Sequence, residues 1–448
     1  HTILKGVYAL EPGTWITYQS GNMNSHAYWH LGNVKSHAFL NRDDAAHEVG
    51  ELFRSSVNLR LVSDAPLGIL LSSGVDSASI LAVATQSESR KSITAFTVAF
   101  ETQHAAMDES DRAQTLAHSM GVNWRSVRLK SDEIAASLFD FLDAMDQPTI
   151  DGANTFLVTR AASRDGLKVA LSGLGGDEIF LGYRHAHFMS RVLKIGRVMA
   201  FLKQYVKGDW LPPNWVIART PLKLQKAWDI STIDSSVASF VNFRRTLFSR
   251  SSRRMLGLVC EFEHTLPSEM LPNSLFGQWS FVELHGYMRN MLLRDADVFS
   301  MAHPLELRVP MLDYRLVDYV LGLPDTFRFV PGRQKPLLCD AVSDVRVQHL
   351  AQLAKQGFAL PFHEWLVGPL REFAQNVFHD RVFWESHGFS VSMVQHVWKS
   401  FCGRPHASTW SRPWALVVLW STLRKLQKNA NSHKHLEAAG RLRVETPG

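Results

Sequence analysis

Cysteine is scarce: Cys260, Cys339 and Cys402 are the only three in 448 residues. Their odd number and wide spacing argue against a disulfide framework or a zinc site of paired cysteines, and fit a reducing compartment. Long apolar runs are missing too. Stretches such as Ala415–Trp420 fall far short of the ~20 residues that span a bilayer. No charged-then-apolar leader opens the chain, so a soluble, cytoplasmic protein without a membrane partner is expected. Nor does charge of one sign gather. A net charge of +6 and a pI near 9.2 would suit a polyanion, yet Lys and Arg are scattered apart from short clusters such as Arg250–Arg254. A solvated basic face is therefore expected, and no nucleic-acid partner. Internal repeats are absent. The first residue is His rather than Met, which reads as a truncated or processed chain.

What is present suits a large globular core: 46% hydrophobic residues and enough length for two or three domains. From about Pro66 to Gly182, short apolar runs alternate with helical patterns. Strands are expected at Gly68–Leu71, Thr94–Phe100, Val127–Leu129 and Leu167–Ser172. Helices are expected from about Asp76 to Gln86, around Ser110–Met120 before Gly121, and over Ala153–Arg164. Strands separated by helices imply an α/β fold with a doubly wound parallel sheet, whose ligands sit at the carboxyl ends of strands. From about His185 to Leu366 the pattern is helical with no convincing strand, and Gly208–Ser235 reads as a mobile loop or insert. Trp410–Lys428 predicts an amphipathic helix, and Asn429–Gly448 a disordered tail.

Two loops carry the chemistry. Leu70-Leu71-Ser72-Ser73-Gly74-Val75-Asp76-Ser77 is an apolar strand emptying into small residues at a helix start. Small side chains let backbone N–H groups reach an anion, and the helix N-terminus adds partial positive charge, so a phosphate is a natural guest. Asp76 tolerates that guest when it binds Mg²⁺, and is otherwise an ordinary cap. Leu171-Ser172-Gly173-Leu174-Gly175-Gly176-Asp177-Glu178 repeats the arrangement after a second apolar strand. Two such loops at two strand ends can face each other across a nucleotide and share metal ions.

These residues resemble a known family. The first loop is similar to the SGGxDS signature of pyrophosphatase-loop ATP enzymes, the second to the SGxGxDE segment of asparagine synthetases. The resemblance continues through Met107-Asp108-Glu109, Asp146-Gln147-Pro148, Gly182-Tyr183, Arg294–Asp297, Ser300–His303, Leu305–Asp313, Lys335–Leu338, Lys355–Phe358 and Pro361, covering about residues 40–425. It implies an adenine nucleotide alpha hydrolase-like sheet with a helical C-terminal region. Gly6-Val7, Leu10, Pro12-Gly13 and Tyr28-Trp29 look like the last strands of the glutaminase domain that precedes the synthetase domain in this family. The expected division is thus a glutaminase remnant over 1–32, an ATP-binding domain over 33–428 and a tail over 429–448.

By resemblance, a carboxylate, expected to be aspartate, attacks the α-phosphate of ATP to give an acyl-adenylate. Ammonia from glutamine then displaces AMP. Ser72, Gly74, Asp76 and Ser77 match the groups that hold pyrophosphate and its Mg²⁺, with Asp177 as a second metal-binding carboxylate. Leu70, Val98, Ser172 and Gly173 match adenosine or ribose contacts. Lys335 matches the lysine that stabilises the adenylation transition state, and with Asp76 makes the catalytic pair. The partners implied are small molecules, and a homodimer is compatible with them. Competing readings stand beside these: Lys335 as a solvated loop cation, Val98 as sheet core, Arg308 as either a pocket cation or a partner of Glu306 or Asp313. Asp297 and Asp313 read as architectural, and His303 as core. Two positions depart from the family pattern. Ser73 replaces a glycine, which the loop accepts only without a positive φ. Leu174 stands where many relatives carry an acidic residue near the incoming ammonia. The adenylating half is therefore expected to be intact, while another carboxylate and amine, or a silent subunit, are the alternatives.

Overall fold

A computed structural model of the chain describes residues 2–34, 41–87, 93–100, 110–183, 236–258, 274–353, 360–403 and 409–438, with isolated positions between them. Met107–Glu109, Gly208–Ser235, Lys355–Phe358 and Cys260 lie outside the described residues.

Five parallel strands form the central sheet, in the order β5-β4-β3-β6-β7: β3 (Leu67–Leu70), β4 (Thr94–Phe100), β5 (Asn123–Leu129), β6 (Val169–Leu171) and β7 (Glu306–Arg308). β3 and β6 are short runs of apolar residues because both faces are covered. β5, at the edge, alternates Trp124, Ser126 and the arginines Arg125 and Arg128, and is largely exposed. It begins at Asn123 rather than Val127, since polar edge residues hide the strand pattern.

The helices lie on both faces. On one side α1 (Arg42–Leu61), α2 (Val75–Ala84), α3 (Ser110–Ser119) and the helices Tyr314–Leu321, Pro336–Val342 and Val345–Gln352 share a core with β3. On the other, α4 (Ser131–Ala144), α5 (Ala153–Arg164), the helix Arg294–Met301 and the helices from Phe362 onward pack an aromatic-rich core around Phe141, Phe156, Phe299 and Trp414. α1 starts where sequence chemistry puts it: the Asn41 side chain accepts from the Asp44 N–H at 2.8 Å, and Asp43 and Asp44 complement the helix dipole.

Two expectations are corrected. β7 lies where only helices were expected, paired in parallel with β6 through Ala170 opposite Leu307. Three residues are too short to show a period of two. The C-terminal helix spans Ser411–Ala438, so residues 429–438 are helical rather than disordered. Ala430, Lys434, Leu436, Glu437 and Ala438 are good helix formers, and the stretch carries no Gly or Pro to stop the helix that precedes it.

Ahead of the sheet, β1 (Thr14–Gln19) and β2 (Asn22–Ala27) form an antiparallel hairpin turned by Ser20 and Gly21, both at positive φ. Its side chains are exposed, and the Trp29 indole N–H donates to Asp318 at 2.9 Å just after it. No described helix is long and apolar enough to cross a membrane.

Candidate active site

β3 ends at Leu70, and the Leu71 N–H still donates to Phe96 of β4 at 2.9 Å. The chain then folds on itself. Ser77, one turn into α2, accepts from the Ser72 N–H at 3.1 Å, and its hydroxyl lies 3.0 Å from that of Ser72. This closes a small ring of backbone at the helix start, with Asp76 in the first turn of α2. Ser73 is not at positive φ, so its side chain is compatible with the loop.

β6 ends in the second loop. Its Ser172 N–H donates to the Arg308 carbonyl of β7 at 2.9 Å, so β7 pins the point where the loop departs. Gly175, at φ +96°, starts the single turn of α6 (Gly176–Ile179). The two loops touch because their contacts are glycines. A Cβ on Gly173 would stand 2.8 Å from the Asp76 Cβ, and one on Gly176 would collide with the Asp76 carboxylate.

The third component arrives from far along the chain. Lys335, only 4% exposed, contacts the carboxylates of Asp76 and Asp177, the latter at 2.6 Å. It adopts φ +44° at the start of the helix Pro336–Val342, and Leu181 near Asp177 adopts φ +58°. Left-handed backbone at bulky residues costs about 1–3 kcal/mol each and collects at functional sites. Burial acts to lower the Lys335 pKa, but Asp177 and Asp76 outweigh it and hold the ammonium charged well above the usual lysine range. Gly182 completes the cradle: a Cβ there would collide with both Asp177 and the Lys335 stem.

Leu70, Ser72, Gly74, Asp76, Ser77, Val98, Ser172, Gly173 and Asp177 all line one cleft of about 370 Å³ at the carboxyl ends of the strands. Lys335 lies behind its two carboxylates. Val98 is 9% exposed and serves both sheet core and cleft wall.

Sequence reasoning gave no site role to several other wall residues: Asn154 and Thr155 of α5, Leu307 of β7, Leu292, and the pair Glu178 and Tyr183. The Tyr183 hydroxyl donates to the buried Glu178 at 2.7 Å. Burial, then the charge of Asp177, pushes the Glu178 carboxyl up to about 7. Arg245 spreads over the rings of Tyr183 and Tyr287 and pairs with Glu283 at 2.7 Å. Gly182-Tyr183 and Asp177-Glu178 were the available signals; their pairing needed three dimensions.

Other candidates resolve by their contacts. Arg308 donates to the carbonyls of Arg60 and Val62 at 2.8 and 2.7 Å, capping α1, and pairs with Glu306 at 2.8 Å. It is not among the residues lining the cleft. Asp313 caps the helix Tyr314–Leu321 and binds Arg60 and Arg315. Burial alone would raise its carboxyl, but these partners bring it down to about 2. Asp297 is exposed, whereas Asp295 is buried and accepts from Thr149 at 2.5 Å. His303 packs on Phe156, ring centroids 4.5 Å apart. It borders a separate hollow of about 470 Å³ beyond α5, where Arg160 pairs with Asp140 at 2.8 Å.

Among the described residues, no group of three or more His, Cys, Asp or Glu gathers to hold a metal. Asp76 and Asp177, both touching one ammonium, are two carboxylates at one point. That suits Mg²⁺, which takes one or two carboxylates and fills its remaining positions with water and phosphate oxygens.

Comparison with known proteins agrees with this architecture. The family model described as Asparagine synthase matches residues 48–427. Asparagine synthetase [glutamine-hydrolyzing] 1 of Bacillus subtilis (strain 168) is 28% identical over 385 residues, 84% of this chain and 58% of the relative. A putative asparagine synthetase [glutamine-hydrolyzing] of Mycobacterium tuberculosis (strain ATCC 25618 / H37Rv) is 26% identical over 395 residues, covering 83% of this chain and 57% of that protein. Amidase chyE of Penicillium rubens is 24% identical over 449 residues, covering 87% and 63%. The chain thus spans less than two thirds of the length of each of these relatives. With a match that takes in both loops, Lys335 and all five strands of the sheet, the chain belongs to the asparagine synthase family.

Proposed function

We propose that this chain is the synthetase part of an ATP-dependent, amide-forming ligase. The observation that carries the reading is the meeting of Asp76, Asp177 and Lys335 at the cleft where two small-residue loops end neighbouring strands. A carboxylate oxygen bonds to the α-phosphorus of ATP while the bond to the bridging oxygen breaks, giving an acyl-adenylate and pyrophosphate. The amine nitrogen then attacks the acyl carbon, AMP leaves with the electron pair, and the amine proton passes to solvent. Repulsion between the incoming anion and the triphosphate is the obstacle, and preorganised cations and N–H groups offset it. Mg²⁺, when bound by Asp76 and Asp177, supplies charge neutralisation for the phosphates. The role that the family resemblance implies for Lys335 is to offset the charge that develops on the departing pyrophosphate. Ser72, Gly74 and Ser77 present the small loop that receives it, and Leu70, Val98, Ser172 and Gly173 hold the adenosine.

Aspartate with ammonia released from glutamine is the substrate pair that the family resemblance implies. Leu174 in the cleft wall favours a second reading: the same ligase chemistry with another carboxylate and amine.

Exchange of labelled pyrophosphate into ATP tests the adenylation. It should require a carboxylate and Mg²⁺, and fall at least about a hundredfold in Asp76→Asn and in Lys335→Met, by analogy with other preorganised electrostatic groups. Exchange unaffected by either change refutes the proposal. Tight ATP binding without exchange for any carboxylate points instead to a silent subunit.

A further inference from the structure

The strands divide the cleft into two sides. Leu70 and Val98 come from β3 and β4, and the proposed reading puts adenosine there. The other side is contributed by the loop after β6, by β7 and by the π-helix Leu284–Leu293, through Leu174, Leu307 and Leu292. Leu174 follows Gly173, which abuts Asp76, and precedes Asp177, which holds Lys335. It therefore stands beside the groups that handle the triphosphate, where the acyl substrate must approach.

A free aspartate entering here would bring a second carboxylate and an ammonium. Each needs a partner, because an unpaired charge placed against apolar walls loses its hydration without compensation. The charged residues among the described cleft wall are Asp76, Asp177 and Glu178, all of one sign. Asp76 and Asp177 repel a second carboxylate. Glu178 accepts from Tyr183, and the two acidic loop residues face Lys335. Three leucines reward apolar surface instead.

Resting on the ligase reading, we propose that this site activates a carboxylic acid with an apolar body, aryl or branched alkyl, received by Leu174, Leu292 and Leu307. Its carboxylate oxygen takes the α-phosphorus and pyrophosphate leaves. The absence of a second charged group on the acid is what the cleft selects.

The test is pyrophosphate exchange by the full chain with Mg²⁺ and ATP, comparing aspartate and glutamate with benzoate, phenylacetate, 4-methylpentanoate and octanoate. At least one apolar acid should exceed aspartate by about tenfold or more in kcat/KM, the scale on which apolar pockets discriminate. Leu174→Glu should lower that acid's kcat/KM by about tenfold or more while ATP affinity, measured by titration calorimetry, stays unchanged. If that variant does not fold, the wild-type panel decides alone. Aspartate equal to or better than every apolar acid overturns the proposal, as does ATP binding with no exchange by any apolar acid. A wild-type chain that fails to bind ATP, or an Asp76→Asn variant that binds it unchanged, sinks the ligase reading itself and is told apart by the calorimetry.

Discussion

Lys335 contacts both Asp76 and Asp177, so replacing it by methionine should convert a stabilising contact into a repulsive one. Both carboxylates touch one nitrogen and therefore lie within about 5 Å of each other, where two unit charges repel by about 3 kcal/mol at an effective permittivity near 20. Lys335 itself is buried, and removing one partner of a buried ionic group typically costs about 3–5 kcal/mol. Methionine keeps most of the stem and fills the space beside Gly182, so the loss is chiefly electrostatic. At about 2 °C per kcal/mol for a chain of this size, the melting temperature should fall by about 6–10 °C in metal-free buffer. Millimolar Mg²⁺ should restore much of that loss in Lys335→Met and shift the wild type less, because only the variant lacks the ammonium that both carboxylates contact. Differential scanning fluorimetry with and without Mg²⁺ reads both effects. A variant as stable as the wild type, or one that Mg²⁺ leaves unmoved, refutes the view that these two side chains depend on positive charge beside them.

Three further outcomes follow from individual contacts. Gly182→Ala should leave the circular dichroism spectrum intact but lower pyrophosphate exchange by about a hundredfold, since its methyl group must displace Asp177 and Lys335, and small misplacements of reacting groups carry costs of that size. Arg308→Met should reduce stability to urea by about 1–3 kcal/mol through loss of the α1 cap, with KM for ATP unchanged. Asp313, held near 2 against an ordinary value near 3.8, contributes about 2 kcal/mol that is fully present above pH 4 and lost as pH falls through 2; the urea midpoints of wild type and Asp313→Asn should therefore differ at pH 6 and converge at pH 2.

Much of the sheet was legible because its strands are short apolar runs between glycine-rich loops. β4 coincides with Thr94–Phe100, and α5 with Ala153–Arg164. The site loops were legible for a local reason: Ser72–Ser77 and Ser172–Asp177 each announce themselves within a few residues. What was not legible was pairwise. Nothing in the composition of Gly182 says that a methyl group would strike Asp177 and Lys335, and nothing near Glu178 says that Tyr183 would satisfy it. β7 escaped notice because its identity comes from β6, which supplies the backbone partners, rather than from its own three residues. Likewise Asp295, not Asp297, is the buried carboxylate, since helical phase against Thr149 decides which of two neighbouring acids turns inward.

Asp76 and Lys335 are 259 positions apart in the chain, yet one ion pair joins them. During synthesis the Asp76 carboxylate thus stays without the Lys335 ammonium until a further 259 residues have followed it. Any break between the two loops and the Pro336 helix should leave fragments that are individually inert and regain turnover only on reassociation. Catalytic competence in this fold is therefore a report on long-range assembly rather than on the integrity of either loop.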